Sequence, residues 1–141
     1  MAIQNSVVFL PCSNIQKTVQ FYHDMIGLPI VQEQANGKLK IFDTGYGYWG
    51  FCQYEDGRPL LSGDVGVCLS LNCPNEADVD AQYQRMVKKL GDCIVPPQIQ
   101  EKFPVYAFFV RDPDDYKVEF QHILLKDQEL VGGYRKTEEV N

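Results

Sequence analysis

Short apolar runs and turn residues divide the first half of the chain into five elements. The run from Val7 to Leu10 predicts a buried strand, and Asn14 begins a stretch with apolar residues at helical spacing that ends at Gly27. An Asn-Gly pair at 36–37 indicates a hairpin turn between the next two strands. The strands predicted after the helix are Ile30 to Gln34, Leu39 to Phe42 and Tyr48 to Tyr54.

The same order of elements returns in the second half. A strand from Val65 to Leu71 is followed by Asn75, which is predicted to cap a helix that ends at Gly91. Further strands are predicted at Cys93 to Val95, Tyr106 to Val110 and Tyr116 to Ile123. The chain is therefore predicted to contain two βαβββ modules.

Each predicted module has a single helix, which can cover only one face of a small sheet. Pairing the modules solves this problem, because the helices then lie outside and the sheets curve around a shared interior. We predict an α+β fold in which two paired βαβββ modules form a curved mixed sheet around a bowl-shaped cavity. An ordinary α+β sandwich without internal symmetry is the alternative.

The length of 141 residues corresponds to one domain. We predict a single domain over residues 1–125, with module 1 at about 5–56 and module 2 at about 64–123. The remaining segment, 126–141, is charged and is predicted to be a mobile or partner-seeking tail.

Composition narrows the range of partners. The net charge of −6 argues against nucleic acid, because no basic surface is available to neutralise phosphates, and it favours a cationic or neutral ligand over an anion. No apolar run approaches the length of about 20 residues that a membrane span needs. We expect a cytoplasmic protein, since the N-terminus lacks the features of a signal peptide. The five cysteines are predicted to be reduced, buried and inert.

Two segments carry a resemblance to a known family. Residues 13–30 resemble the opening helix of the vicinal oxygen chelate superfamily, which includes glyoxalase I, extradiol dioxygenases, fosfomycin-resistance enzymes and bleomycin-resistance proteins. Residues 108–119 resemble its closing hairpin, with Asp112-Pro113-Asp114-Asp115 where the usual turn is Asp-Pro-Asp-Gly. The resemblance implies a bowl-shaped sheet, a homodimer, and a divalent metal held by His, Glu or Gln from the first and last strands of each module.

Transferred position by position, the implied metal site is largely lost. The four ligand positions fall on Val7, on Phe51 (or Gln53 if the register is shifted by two), on Val67 and on Glu119. Only Glu119 is a ligand type, and a transition-metal site needs three or more protein donors. No cofactor is therefore expected, although a divalent metal remains possible.

Neither histidine replaces the missing donors. His23 falls within the first helix, and His122 follows Gln121, so strand alternation directs it away from Glu119.

Strand alternation also predicts which side chains line the cavity. The predicted ligand contacts, with Glu119 beside them, are Phe9, Trp49, Phe51, Gln53, Val67, Tyr106 and Gln121. The same alternation places Cys52 and Cys68 on the faces of the sheets that are turned toward the helices. Two alternatives remain open: the aromatic side chains simply fill a core, or Ala107 and Phe109 line the cavity in place of Tyr106.

Glu119 has two interpretations. It is a candidate catalytic group, because a carboxylate in an aromatic interior acquires a raised pKa, or it pairs with a basic residue such as Lys117 or Arg111. The function predicted from the sequence is binding of a small organic molecule, cationic or aromatic, in a metal-free cavity. The alternative is a divalent-metal-dependent lyase or dioxygenase of the glyoxalase kind that uses Glu119 as a metal ligand.

Overall fold

A computed structural model describes residues 2–64 and 66–124. The first half contains β1 (Val7–Pro11), α1 (Ile15–Val19) continued by a π-helix (Gln20–Ile26), β2 (Ile30–Gln34), β3 (Leu39–Asp43) and β4 (Tyr48–Cys52). The second half contains β5 (Cys68–Asn72), α2 (Glu76–Leu90), β6 (Gln98–Ile99), β7 (Val105–Arg111) and β8 (Lys117–Ile123). The predicted tail at 126–141 lies outside the described residues.

The two sheets have the same internal order. The first runs β1-β4-β3-β2 and the second runs β5-β8-β7-β6, so in each the first strand of the module lies beside its last. In the first sheet, β1 pairs with β4 in parallel and the other neighbours are antiparallel. The predicted α+β class and the repeated βαβββ order are therefore confirmed.

The chain divides into two compact units. The first comprises residues 2–64, 66–67 and 111–117, and the second comprises residues 68–110 and 118–124. The turn between β7 and β8 thus packs with the first unit, although it lies in the second half of the sequence.

Capping residues set the limits of both helices, as the sequence indicates. The Asn14 side chain accepts hydrogen bonds from the backbone N–H groups at the start of α1, and Gly27 ends the following π-helix with φ of 95°. In the same way, Asn75 caps α2 and Gly91 ends it, again with φ of 95°. The π-helical geometry of residues 20–26 was not predicted.

One predicted strand is wrong. Residues 93–95 form no strand, and the edge strand of the second sheet is the two-residue β6. Pro96 and Pro97 precede β6, and since proline has no backbone N–H it cannot donate to a ladder. Pairing with β7 therefore starts only at Gln98.

Aromatic side chains form the core between helix and sheet in each unit. In the first unit, the Tyr22 ring stacks on Phe51 with centroids 4.6 Å apart. In the second unit, Phe108 stacks on Phe120 at 4.9 Å, and Tyr83 of α2 meets Phe108 edge-on.

None of the helices in the described residues is long and apolar enough to cross a membrane.

Candidate functional site

Trp49 and Phe51 face the π-helix that continues α1, so the predicted phase of β4 is wrong. Phe51 is fully buried against Tyr22, and Trp49 meets the same Tyr22 ring edge-on at 6.1 Å. Phe42 completes this cluster from β3. These aromatic side chains fill the core, which is the alternative that the sequence left open.

Gln53 and Val67 also have structural partners. The Gln53 side-chain oxygen accepts a hydrogen bond from the Ile15 N–H at 2.9 Å, so it contributes to the N-terminus of α1. Val67 precedes β5 and is half-buried, and its N–H donates to the Leu61 carbonyl oxygen.

The face of the first sheet that is turned away from α1 carries Phe9. This side chain is 45% exposed, and its ring lies over Gly50, where an added Cβ would meet Phe9 Cδ1 at 2.6 Å. The same face holds a buried cluster against which two tyrosines pack, formed by Leu39, Ile41 and Cys52 with Tyr48 and Tyr54. Cys52 therefore lies on the side opposite to the one predicted.

Glu119 and Gln121 lie on the face of the second sheet that is turned away from α2. Glu119 is half-buried, and its Oε1 accepts a hydrogen bond from Ser70 Oγ at 2.6 Å. Gln121 Nε2 donates to Asn72 Oδ1 at 2.8 Å on the neighbouring rung. We call these four side chains the polar ladder of the second sheet.

Cys68 lies beside the polar ladder, contrary to prediction. Its thiol is exposed and lies 3.7 Å from Ser70 Oγ, on the side of β5 opposite to the buried Leu69. Cys93 is also exposed, so the prediction that all five cysteines are buried is wrong. Ser70 and Asn72 were missed as well. The alternation of polar and apolar residues over 68–72 was the signal that could have identified them.

Tyr106 faces α2. Its hydroxyl donates to Asp80 Oδ1 at 2.5 Å, and this hydrogen bond to a carboxylate raises the pKa of Tyr106 to about 12. The phase that placed Tyr106 in the cavity is therefore wrong, and the alternative phase, with Ala107 and Phe109 on the opposite side of β7, is the one observed.

The donors around Glu119 do not fit a transition-metal site. Its hydrogen-bond partner is a serine hydroxyl, and the next rung carries two amides. His122 Nδ1 lies 3.2 Å from the Cys73 carbonyl oxygen, and His23 Nδ1 lies 3.0 Å from that of Leu28. Over residues 2–64 and 66–124, no three His, Cys, Asp or Glu side chains are grouped so that they could hold a metal ion.

Asp112 anchors the turn between β7 and β8 within the first unit. One carboxylate oxygen accepts from the Tyr22 hydroxyl at 2.8 Å, and the other accepts from the N–H groups of Asp114 and Tyr116. Burial raises the pKa of Asp112 and raises that of Tyr22 well above its usual value.

Asp114 and Tyr116 attach the same turn to the start of the chain. Asp114 accepts hydrogen bonds from the Ser13 N–H and hydroxyl, and the Tyr116 hydroxyl donates to the Pro11 carbonyl oxygen at 2.7 Å. Asp115 has φ of 67°, a conformation that favours glycine. Asp112 and Asp114 thus have a structural role in this turn.

Comparison with known proteins identifies relatives by fold. The family model described as "Glyoxalase/Bleomycin resistance protein/Dioxygenase superfamily" matches residues 4–120. A lactoylglutathione lyase structure from Agrobacterium tumefaciens is 19% identical, with a TM-score of 0.65 over 94% of this chain and 98% of that one. A glyoxalase/bleomycin resistance protein from Albidiferax ferrireducens T118 is 24% identical, with a TM-score of 0.61 over 84% and 97%. A search of curated proteins gives no match.

Proposed function

Because the chain belongs to the glyoxalase, bleomycin resistance protein and dioxygenase superfamily, we propose that it binds a small organic molecule without a resident metal ion. The observation that carries this proposal is the polar ladder of the second sheet. Glu119 is the residue at the family's last ligand position, and it is hydrogen-bonded to a serine hydroxyl beside two amides. This set suits an organic ligand better than a transition metal.

The charge of the ladder favours a cationic ligand. Glu119 Oε1 accepts one hydrogen bond from Ser70, and a carboxylate has further lone pairs on its two oxygens with which to accept from a ligand ammonium group. The net charge of −6 adds a long-range attraction for cations. Gln121 and Asn72 each retain hydrogen-bonding capacity after they have paired with each other, and this capacity suits a carbonyl or hydroxyl group of the ligand.

Calorimetric titration with benzylammonium, and with benzyl alcohol as the neutral analogue, tests this proposal. We expect the wild type to bind the cation more tightly, and Glu119→Gln to weaken cation binding about tenfold, which corresponds to about 1.4 kcal/mol. Glu101→Gln is the matched control, because it removes one negative charge from an exposed position in the same unit. Equal effects of the two substitutions would show that only the net charge matters.

Elemental analysis of the purified protein distinguishes the alternative function. We expect no stoichiometric Ni, Zn, Mn or Fe. One tightly held equivalent that is lost in Glu119→Gln would instead show that Glu119 holds a metal ion, as the alternative of a metal-dependent lyase or dioxygenase requires.

The partner state proposed from family membership is a homodimer. Light scattering during size-exclusion chromatography is expected to give twice the chain mass of 16.1 kDa. A mass of one chain at micromolar concentration would contradict it.

A further inference from the structure

A cavity in the first unit lies beside the turn between β2 and β3. Its volume is about 370 Å³, at the small end of the range of about 300–1,000 Å³ that is typical of small-molecule pockets. Residues 35, 36 and 38 line it from the turn, and residues 52–55 line it from the end of β4 and the chain that follows. All of these residues belong to the first unit, whereas the polar ladder belongs to the second.

The turn that borders the cavity has an uncommon backbone. Ala35, Asn36 and Gly37 have φ of 53°, 55° and 84°, so three consecutive residues adopt the left-handed conformation that disfavours a Cβ. The Lys38 carbonyl oxygen, directly after them, accepts a hydrogen bond from the Gln53 N–H at 2.9 Å. This bond joins the two segments that line the cavity and fixes their spacing.

Lys38 and Glu55 place opposite charges side by side in the cavity wall. Lys38 Nζ lies 3.8 Å from Glu55 Oε1, and the two side chains are 43% and 82% exposed. A hydrogen bond would need about 2.7–3.2 Å, so both groups keep their capacity to bond to a ligand. Because an exposed ion pair contributes little to stability, a ligand that separates the two charges loses little by doing so.

Gln53 adds uncharged donors to this wall. Its Oε1 accepts a hydrogen bond from the Ile15 N–H at 2.9 Å, which fixes the orientation of the amide. No partner for Gln53 Nε2 is found in residues 2–64 and 66–124, so its two N–H groups are the part of the amide that is left for a ligand.

Tyr54 supplies the apolar part of the cavity. Its ring packs against the buried cluster on the face of the first sheet that is turned away from α1. The Arg58 guanidinium lies 3.5 Å from the centre of this ring, and Asp56 holds it there through hydrogen bonds to Nε and to one terminal nitrogen. Tyr54 is therefore fixed in place before any ligand binds.

We propose that this cavity binds free α-amino acids that have an apolar side chain. An α-amino acid carries its ammonium and carboxylate groups on a single carbon atom, so its two charges are close together, as are those of Lys38 and Glu55. In the complex, Lys38 and Gln53 bind the carboxylate, Glu55 binds the ammonium group, and the side chain packs on Tyr54. The four charges then form a ring of alternating sign.

This inference goes beyond the proposed function and does not depend on the polar ladder. A zwitterion has no net charge, so the net charge of −6 neither attracts nor repels it. Selection for the zwitterion therefore has to come from the paired charges of the cavity rather than from the charge of the whole protein.

Calorimetric titration with L-phenylalanine tests the inference. We expect the wild type to bind it with a Kd of about 1 mM or below, and Lys38→Met and Glu55→Gln each to weaken binding about tenfold. The matched controls are Lys40→Met and Glu33→Gln. These two residues form an ion pair in the same unit that does not line the cavity, so both control variants should bind as the wild type does.

Two analogues of L-phenylalanine test the need for both charges. Phenethylamine lacks the carboxylate and 3-phenylpropionate lacks the ammonium group. Neither should displace L-phenylalanine at equal concentration, because each leaves one charge of the cavity unpaired. Displacement by either analogue as effective as by L-phenylalanine itself would contradict recognition of a zwitterion.

Backbone amide NMR spectra of the wild type locate the site without any substitution. Addition of L-phenylalanine should shift the resonances of residues 36–38 and 53–55 and leave those of residues 119–121 unchanged. No detectable binding at about 10 mM L-phenylalanine, equal effects of the cavity and control substitutions, or shifts confined to 119–121 would each overturn the inference.

This inference and the proposed function fail separately. If benzylammonium binding depends on Glu119 while L-phenylalanine does not bind, the polar ladder is a ligand site and the assignment of the cavity is wrong. If L-phenylalanine binding depends on Lys38 and Glu55 while benzylammonium does not bind, the cavity is a ligand site and the role given to the ladder is wrong.

Discussion

Phe9 and Gly50 together determine which aromatic ring is exposed on the face of the first sheet that is turned away from α1. Phe9 keeps its position because Gly50, directly beside it on β4, has no side chain. The exposed aromatic group of this face is therefore Phe9, whereas Trp49 and Phe51 belong to the core. The position of the exposed Phe9 ring therefore depends on the absence of a side chain at Gly50.

Gly50→Ala tests this arrangement. The new methyl group would lie 2.6 Å from the Phe9 ring, so the ring must move, and we expect a loss of about 1 kcal/mol in the free energy of unfolding measured with urea. The loss should disappear when Phe9→Ala is the background. Gly47→Ala is the control, because its nearest contacts would be 3.6 Å or longer. An equal cost in both backgrounds would contradict the role given to Phe9.

Tyr22→Phe tests the buried carboxylate at Asp112. The substitution removes the hydroxyl that donates to Asp112, and we expect a cost of about 1–3 kcal/mol. The Tyr22 hydrogen bond lowers the pKa of Asp112 against the larger effect of burial, so its loss raises that pKa further.

The sign of the pH dependence follows from the raised pKa. A carboxyl whose pKa is higher in the folded state stabilises the fold below its unfolded value of about 3.8, and this contribution is lost as the pH rises through the folded-state pKa. Tyr22→Phe should therefore cost more at pH 7 than at pH 4 in urea denaturation. A cost that is the same at both pH values would mean that Asp112 does not ionise in the folded protein over this range.

At the scale of elements, the sequence specifies where helices begin and end better than which face of a strand they cover. Asn14 and Gly27 were identified from residue type alone, since a cap and a left-handed terminus are local requirements. The face of β4 is not local, because it depends on the Tyr22 ring reaching Phe51 across the sheet. No charged side chain marks either face of this strand, since Tyr48 and Cys52 lie on one face and Trp49 and Phe51 on the other, so alternation leaves two phases that only packing distinguishes.

Asn14→Ala tests the cap of α1. The side chain accepts from the N–H groups of Gln16 and Lys17, and its removal should cost about 1 kcal/mol of unfolding free energy. Asn14→Asp keeps an acceptor and should restore the wild-type value in the same thermal or urea unfolding measurement. If alanine and aspartate were equivalent, the helix would not depend on this cap.

At the scale of the whole molecule, the repeat of βαβββ was predictable because each half shows the same order of patterns and the same glycine helix ends. Only two of the four side chains of the polar ladder were predicted from the sequence. Glu119 was identified through the closing motif and Gln121 through strand alternation, but Ser70 and Cys68 were missed because β5 was assigned the phase of Val67. The β5 partner of Glu119 is set by pairing between strands 49 residues apart, which no local pattern encodes.

The polar ladder also relates the net charge of −6 to the proposed cationic ligand. Under the proposed function, the net charge attracts a cation to the protein, and the carboxylate beside two amides is the place where that cation would bind. The superfamily includes metal-dependent enzymes and binding proteins, and fold alone does not distinguish them. The distinction depends on whether Glu119 acts on a metal ion or on an organic molecule.

The most direct measurement is the titration of the wild type and of Glu119→Gln with benzylammonium, carried out with and without EDTA. The predicted result is binding that EDTA leaves unchanged and that the substitution weakens about tenfold. Binding that EDTA abolishes and that one equivalent of Zn²⁺, Ni²⁺, Mn²⁺ or Fe²⁺ restores would contradict metal-independent recognition by Glu119.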